Sequence, residues 1–173
     1  SMYSKTDRFS EWAKVAGART WPVTETVEDF FGIIIWSWSN KIKSSIKYKS
    51  GKTDYKTNAE EAFRNKVGVC QDHTHVFLSI LRLNNLPCRY VSGFFLPKNK
   101  SQNLAMHAWA EVFVRNLGWV GFDVSNGVSP DDQYVPIAVG LDYNDVAPTS
   151  GIRYSQSDEK LAVTVRVEQW IRL

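Results

Sequence analysis

In the run Lys66-Val67-Gly68-Val69-Cys70-Gln71-Asp72-His73-Thr74-His75-Val76-Phe77-Leu78, a cysteine stands where one short helix ends, near Gly68, and an apolar one begins. The first turn of a helix carries unpaired backbone N–H groups and a partial positive charge. Both favour a thiolate, and a thiol pKa of about 8.5 can fall by one unit or several in such a place. Cys70 is therefore placed like a nucleophile, and a nucleophilic thiol needs a base, most often histidine. The chain has three histidines: His73, His75 and His107. On the helix of Cys70, His73 at i+3 shares the thiol's face, while His75 at i+5 points well away. His107 opens a strand, Met106-His107-Ala108-Trp109-Ala110-Glu111-Val112. Its alternation puts Ala108, Ala110 and Val112 on one face and His107, Trp109 and Glu111 on the other. A base on a strand packed against the nucleophile's helix is held rigidly, so His107 is preferred.

The base needs an acceptor to fix its tautomer and stabilise the imidazolium. Asp123 fits, in Gly121-Phe122-Asp123-Val124 on the next strand, with Glu111 and Asn126 as fallbacks. Placing His107 directly opposite Asp123 requires Phe113 opposite Leu117. That implies an odd-numbered loop or a bulge around residues 115–117, because even-numbered loops would put the two side chains on opposite faces.

The elements that must position these groups follow from periodicity. A short helix around residues 9–15 precedes a turn at Gly17 and a break at Trp21-Pro22. A helix over 27–41 starts at Thr26-Val27-Glu28-Asp29 and carries Phe30, Phe31, Ile34, Ile35 and Trp38 on one stripe. Residues 41–56 hold six lysines around Ser-Gly turns and read as a solvated loop or edge hairpin, with an anion-binding surface as the rival. Thr57-Asn58-Ala59-Glu60 has the form of a capping box for a helix to about Lys66, with Gly68 as the left-handed residue that closes it. The Cys70 helix runs to about Asn84, and its apolar residues mark it as central. Strands follow over 89–95, 107–114, 118–124, 134–139 and 160–168, with a polar loop over 97–103. In the last strand Leu161, Val163, Val165 and Val167 share a face. Helices first, then adjacent strands with short turns, indicate an α+β domain with an antiparallel sheet.

With 173 residues, 43% of them apolar and 23% charged, the chain suits one domain with a full core over 1–173. Residues 1–25 read as an N-terminal extension and Ser1-Met2 as a cloning remnant. A net charge of +3 is too small to imply a nucleic-acid partner. No apolar run approaches the roughly 20 residues of a bilayer span, so no membrane partner is expected and a cytoplasmic location is weakly favoured. Cys70 and Cys88 are read as two free thiols.

Four ordered blocks carry a resemblance: 68–73 around Cys70, Pro87-Cys88-Arg89-Tyr90-Val91-Ser92-Gly93, His107-Ala108-Trp109-Ala110-Glu111-Val112, and Gly118-Trp119-Val120-Gly121-Phe122-Asp123. Together they resemble the transglutaminase-like superfamily, and within it the bacterial, protease-like branch. The run Val139-Gly140-Leu141-Asp142-Tyr143-Asn144-Asp145-Val146-Ala147-Pro148 is also similar to that branch. The likeness is close over 57–151 and looser over 27–167. Cys88 and Val124-Ser125 depart from the branch without touching the three blocks' Cys, His and Asp.

The resemblance implies a papain-like α+β core, with the nucleophile's helix packed on an antiparallel sheet. It implies a Cys70–His107–Asp123 triad and an acyl-thioester formed on an amide substrate, peptide or protein. Peptidase or amidase action is the first expectation, with acyl transfer to an amine or deamidation as alternatives. No cofactor or metal is implied. The backbone N–H of Cys70 would be one oxyanion donor. The second stays open among Gln71, Trp36 and Trp38.

Other readings weigh against these residues one by one. A lone Cys near a helix start is often a small buried hydrophobe. His73 and His75 read as helix-surface or capped residues, and a zinc site lacks a Cys-x-x-Cys pair. Asp131, Asp132, Asp142 and Asp145 lack the spacing of a calcium loop and read as solvated acids. Trp109 and Trp119 are core or cleft wall. A non-enzymatic module binding an anionic partner through 41–56 is the rival from another class.

Overall fold

The computed structural model describes residues 27–97, 105–114 and 117–147. The helix expected over 9–15, most of the 97–103 loop and the strand expected over 160–168 lie outside them.

Helix α1 spans Val27–Ser45, one turn longer than the stripe predicts. Ile35, Trp38, Ile42 and Ile46 recur at helical spacing and are all buried, which carries the helix through the first lysines of the 41–56 stretch. That stretch is thus not all loop. It continues into a short strand, β1 (Lys47–Tyr48), which pairs in parallel with β2 (Val67–Gly68). The six lysines are exposed throughout, as a solvated surface requires.

Between these strands lies α2 (Ala59–Asn65). Its cap is Asn58, whose side chain accepts the Glu61 N–H at 2.9 Å. Thr57, the expected cap, is tied instead to Asp54: the Asp54 N–H donates to its hydroxyl at 3.0 Å. The left-handed residue closing α2 is Lys66 (φ 55°), not Gly68. Gly68 serves a different need, since a Cβ there would meet the Asp72 Cβ at 2.6 Å.

Helix α3 (Cys70–Leu83) is the centre of the fold. Val76, Phe77, Leu78, Ile80 and Leu81 are fully buried, so the helix is covered on nearly every side. Full burial of each such side chain stabilises by roughly 1.5–3 kcal/mol. Against α3 lies the four-stranded sheet, order β5-β4-β3-β6, with every neighbour antiparallel. The strands are β3 (Cys88–Phe95), β4 (Ala105–Val114), β5 (Gly118–Phe122) and β6 (Tyr134–Gly140). Ala108, Ala110, Val112 and Val114 turn to the core shared with α3. Val91, Trp109 and Tyr134 form a second cluster, with Phe95 packed on it. Trp109 is therefore core, whereas Trp119 is exposed under the Arg89 guanidinium, 4.2 Å from its ring centre.

The β4–β5 hairpin turns through three residues, with Val114 opposite Gly118. Gly118 takes φ +81°, a conformation that suits glycine, at the loop's end. The odd-numbered loop is as expected, but the register is not: Phe113 faces Trp119 rather than Leu117. Continued along the strands, this pairing sets Asp123 beside Trp109, so His107 and Asp123 share a face and meet diagonally.

This is an α+β, papain-like arrangement: a nucleophile-bearing helix buried against an antiparallel sheet.

Candidate active site

Cys70 is the first residue of α3, and the Asp72 side chain, reaching back to the capping residue Val69, holds that end in place. The Val69 N–H donates to Asp72 Oδ2 at 2.7 Å, and the Thr53 hydroxyl donates to the same oxygen at 2.6 Å. Asp72 is almost fully buried, and burial pushes its carboxyl up, against the bonds from Thr53 and Val69. One carboxylate thus fastens both the turn before the nucleophile and the loop after β1.

His73 and His75 are not surface residues. His73 is 1% exposed, and its two ring nitrogens lie 2.8 and 3.0 Å from the carbonyl oxygens of Val69 and Ile46. It clips the end of α1 to the start of α3. His75 is fully buried, and its Nε2 accepts the Tyr143 N–H at 3.4 Å. Burial lowers its pKa to about 4, so the ring is neutral. Both imidazoles are engaged in structure. The helical wheel gave their directions but not the β1 segment and the loop after β6 that cover them.

His107, on β4, is the histidine whose charge both Asp123 and Cys70 favour. Its Nε2–H donates to Asp123 Oδ2 at 2.6 Å, and Cys70 is the second group that bears on the ring's charge. With Nε2 committed to the carboxylate, Nδ1 is the nitrogen left for the sulfur. Burial opposes charge on this ring, but the bonds and charges of Asp123 and Cys70 prevail and lift its pKa to about 9. The rings of Phe95 and Tyr134 stand 5.6 and 5.9 Å from it and restrict its tilt.

Asp123 is fully buried and saturated with donors. Oδ1 accepts from the Ser125 hydroxyl at 2.8 Å and the Asn126 N–H at 3.0 Å. Oδ2 accepts from His107, from the Asn126 amide at 2.7 Å and from the Tyr134 hydroxyl at 2.7 Å. Burial raises a carboxyl pKa, yet the bonds to His107, Asn126 and Tyr134 bring this one down to about 2. Asn126 thus supports the acceptor as a donor and does not replace it. Glu111, the other fallback, pairs with Arg89 at 2.6 Å instead. The loop is anchored from α1, where Lys43 Nζ donates to the Asn126 carbonyl at 2.6 Å.

Tyr134 and Ser125 were not singled out by sequence reasoning. Ser125-Asn126-Gly127 after Asp123 is a turn signature that points to Ser125 and Asn126; nothing local points to Tyr134, eleven residues on. Of the expected oxyanion partners, Trp38 is buried in the core with an unpartnered Nε1, and Trp36 packs edge-on against Phe122 at 5.4 Å. The Gln71 Nε2 is buried and unpartnered as well. Cys88, the second free thiol, lies by Leu78 and Arg82, and burial pushes its pKa up. The acids read as solvated serve turns: Asp131 accepts from Gln133, Asp142 from the Asn144 N–H and Asp145 from the Leu141 N–H.

A helix-start thiol, a strand imidazole and a buried carboxylate on a papain-like core define the class to which the fold and site belong. The chain belongs to the transglutaminase-like superfamily, whose core model matches residues 35–124. It is 35% identical over 130 residues to an uncharacterised protein of Mycobacterium leprae, covering 72% of this chain and 46% of that one. It is 31% identical over 166 residues to an uncharacterised protein of Mycobacterium tuberculosis strain H37Rv, covering 90% and 50%. The chain therefore spans about half the length of the curated relatives it matches. Among solved structures, a Cytophaga hutchinsonii protein provisionally named a cysteine protease superposes with a TM-score of 0.66 at 24% identity. That match covers 85% of this chain and 46% of the other, and it establishes the shared fold.

Proposed function

We propose that the protein is a cysteine-dependent enzyme that cleaves amide bonds through an acyl-thioester, with Cys70 as nucleophile, His107 as acid–base and Asp123 as the group orienting His107. The Cys70 sulfur attacks the amide carbonyl carbon, and the carbonyl's π electrons move to oxygen. The Cys70 proton, held by His107, passes to the leaving amine as the tetrahedral species collapses to the thioester. Water, its proton taken by His107, then releases the acid and restores the thiol. Peptide or protein amides are the substrate class.

One observation carries this: the 2.6 Å bond from His107 Nε2 to a fully buried Asp123, on the strand packed against the helix that opens at Cys70. A carboxylate so buried has its full effect on the imidazolium.

The test is mass spectrometry of intact protein after incubation with a pool of glutamine- and amide-containing peptides, with and without added amine. A mass adduct on Cys70, absent in Cys70→Ala, is the expected result. Product acids without amine incorporation assign hydrolysis, and amine-capped products assign acyl transfer. Turnover persisting in Cys70→Ala would overturn the proposal.

A further inference from the structure

The chemistry proposed for Cys70 leaves the stretch over 41–56 without a role. It holds Lys41, Lys43, Lys47, Lys49, Lys52 and Lys56 against one acid, Asp54. All six lysines are exposed, and among the described residues no carboxylate pairs with any of them. Lys43 donates to a neutral group, the Asn126 carbonyl, and Lys56 lies 5.4 Å from the centre of the Tyr55 ring. Asp54 is engaged within its own loop, where Oδ1 accepts the N–H groups of Lys56 and Thr57 at 2.8 and 3.1 Å. The fold leaves most of this positive charge uncompensated.

The charge is also fastened to the nucleophile's turn. The Lys47 N–H donates to the Lys66 carbonyl at 2.9 Å and the Lys49 N–H to the Gly68 carbonyl at 3.0 Å. Between them Tyr48 pairs with Gly68, two residues before Cys70. Paired strands lie about 5 Å apart and two residues span at most about 7 Å, so the β1 backbone runs within about 12 Å of Cys70. Beyond β1, the Thr53 hydroxyl donates at 2.6 Å to Asp72 Oδ2, the oxygen that also holds the Val69 N–H. Lys52 thus adjoins a residue tied to the start of α3. The screening length at 0.1 M salt is about 10 Å, so the field of these side chains reaches the nucleophile. A polar cavity of about 480 Å³ beside the loop is lined by Lys52 and Lys56 but also by Asp54 and Glu61. Its charges balance, so recognition falls to the summed field of strand and loop rather than to a pocket.

We propose that this surface selects substrates: the enzyme takes peptide or protein amides flanked by acidic residues, drawn to the start of α3 by Lys47, Lys49 and Lys52. The inference rests on the reading of Cys70 as a nucleophile acting on such amides. The acidic flank lies along β1 and the loop after it while the amide carbonyl meets the sulfur. Of the anionic macromolecules, only a polypeptide brings both the charge and the amide, which favours it over a nucleic acid or a lipid surface.

Iodoacetyl-capped tetraglutamate and tetralysine peptides test this without requiring amide cleavage. The Cys70 sulfur bonds to the iodoacetyl carbon as iodide leaves, and mass spectrometry follows the adduct on Cys70. Both reagents meet the same thiol, so the ratio of their rates is independent of its reactivity. At about 10 mM salt, where the screening length is about 30 Å, tetraglutamate should label wild type at least about tenfold faster than tetralysine. At about 1 M salt, with a screening length of about 3 Å, the ratio should fall below about threefold. In the triple variant Lys47→Gln, Lys49→Gln, Lys52→Gln the low-salt ratio should fall likewise. Equal rates for the two peptides in wild type at low salt, or a preference that survives the triple substitution or high salt, would overturn the inference. So would a single-stranded DNA pentamer that blocks the tetraglutamate reagent at concentrations where free tetraglutamate does not, since the surface would then belong to nucleic acid. The reading of Cys70 fails separately: labelling by uncharged iodoacetamide that is indifferent to His107→Ala would remove the activated nucleophile and leave the charge preference standing.

Discussion

His107 and Asp123 meet diagonally across neighbouring strands, Nε2 to Oδ2 at 2.6 Å, with the carboxylate fully buried. The His107 pKa, about 9 against an ordinary 6.5, depends on that contact and on Cys70. In Asp123→Asn the ring should titrate at least one unit lower by NMR. The sign for stability follows. The imidazolium's contribution is fully present below pH 6.5 and is lost as pH rises through about 9. The carboxylate's contribution is present above pH 3.8 and is lost as pH falls through about 2. Denaturant unfolding of the wild type should therefore weaken between pH 6.5 and 9, and the variant should lack that slope. An unchanged His107 titration in Asp123→Asn would refute this coupling.

Tyr134 donates to the same carboxylate oxygen at 2.7 Å from outside the hairpin. Removing the hydroxyl in Tyr134→Phe leaves His107, Ser125 and Asn126 still bonded to Asp123. Loss of a hydrogen bond to a charged group costs about 1.5–3 kcal/mol. Equilibrium unfolding should show a loss in that range, with a smaller drop in Cys70 acylation than Asp123→Asn causes.

Asp72 holds the nucleophile's turn through Val69 and Thr53, and Gly68 leaves the room it needs. Asp72→Ala strands two donors and should cost about 1–3 kcal/mol. Gly68→Ala forces the Asp72 side chain aside and should cost a similar amount. Denaturant midpoints measure both. Midpoints equal to wild type would mean that the cap does not fix the turn.

Much of this arrangement is legible along the chain. Strand alternation placed His107 opposite the core alanines in sense, and the helix-start position of Cys70 is local. The odd-numbered turn before Gly118 was readable from parity. What was not readable is what depends on distant partners. The parallel β1–β2 pair is two residues long and leaves no periodic trace. Tyr134 reaches Asp123 from β6, at the opposite edge of the sheet from β5, a meeting that no local pattern announces. The burial of His73 and His75 comes from the β1 segment and the loop after β6, neither of which a helical wheel contains.

His75 is buried neutral, with a pKa of about 4 against 6.5 when exposed. The unfolded chain binds a proton at His75 that the folded chain refuses, so stability falls as pH drops from 6.5 towards 4. The full effect is on the order of 3 kcal/mol. Unfolding curves at pH 7 and pH 4.5 should separate in the wild type and converge in His75→Gln. Equal separation in both proteins would place the acid sensitivity elsewhere.

The central claim is that His107 activates the Cys70 sulfur. Its most direct measurement is the rate of iodoacetamide labelling at neutral pH, resolved by mass spectrometry between Cys70 and Cys88, in wild type and His107→Ala. Cys70 should be labelled well ahead of Cys88 in wild type and at least about tenfold more slowly in the variant. Equal labelling of the two cysteines, or a Cys70 rate unaffected by loss of His107, would contradict it.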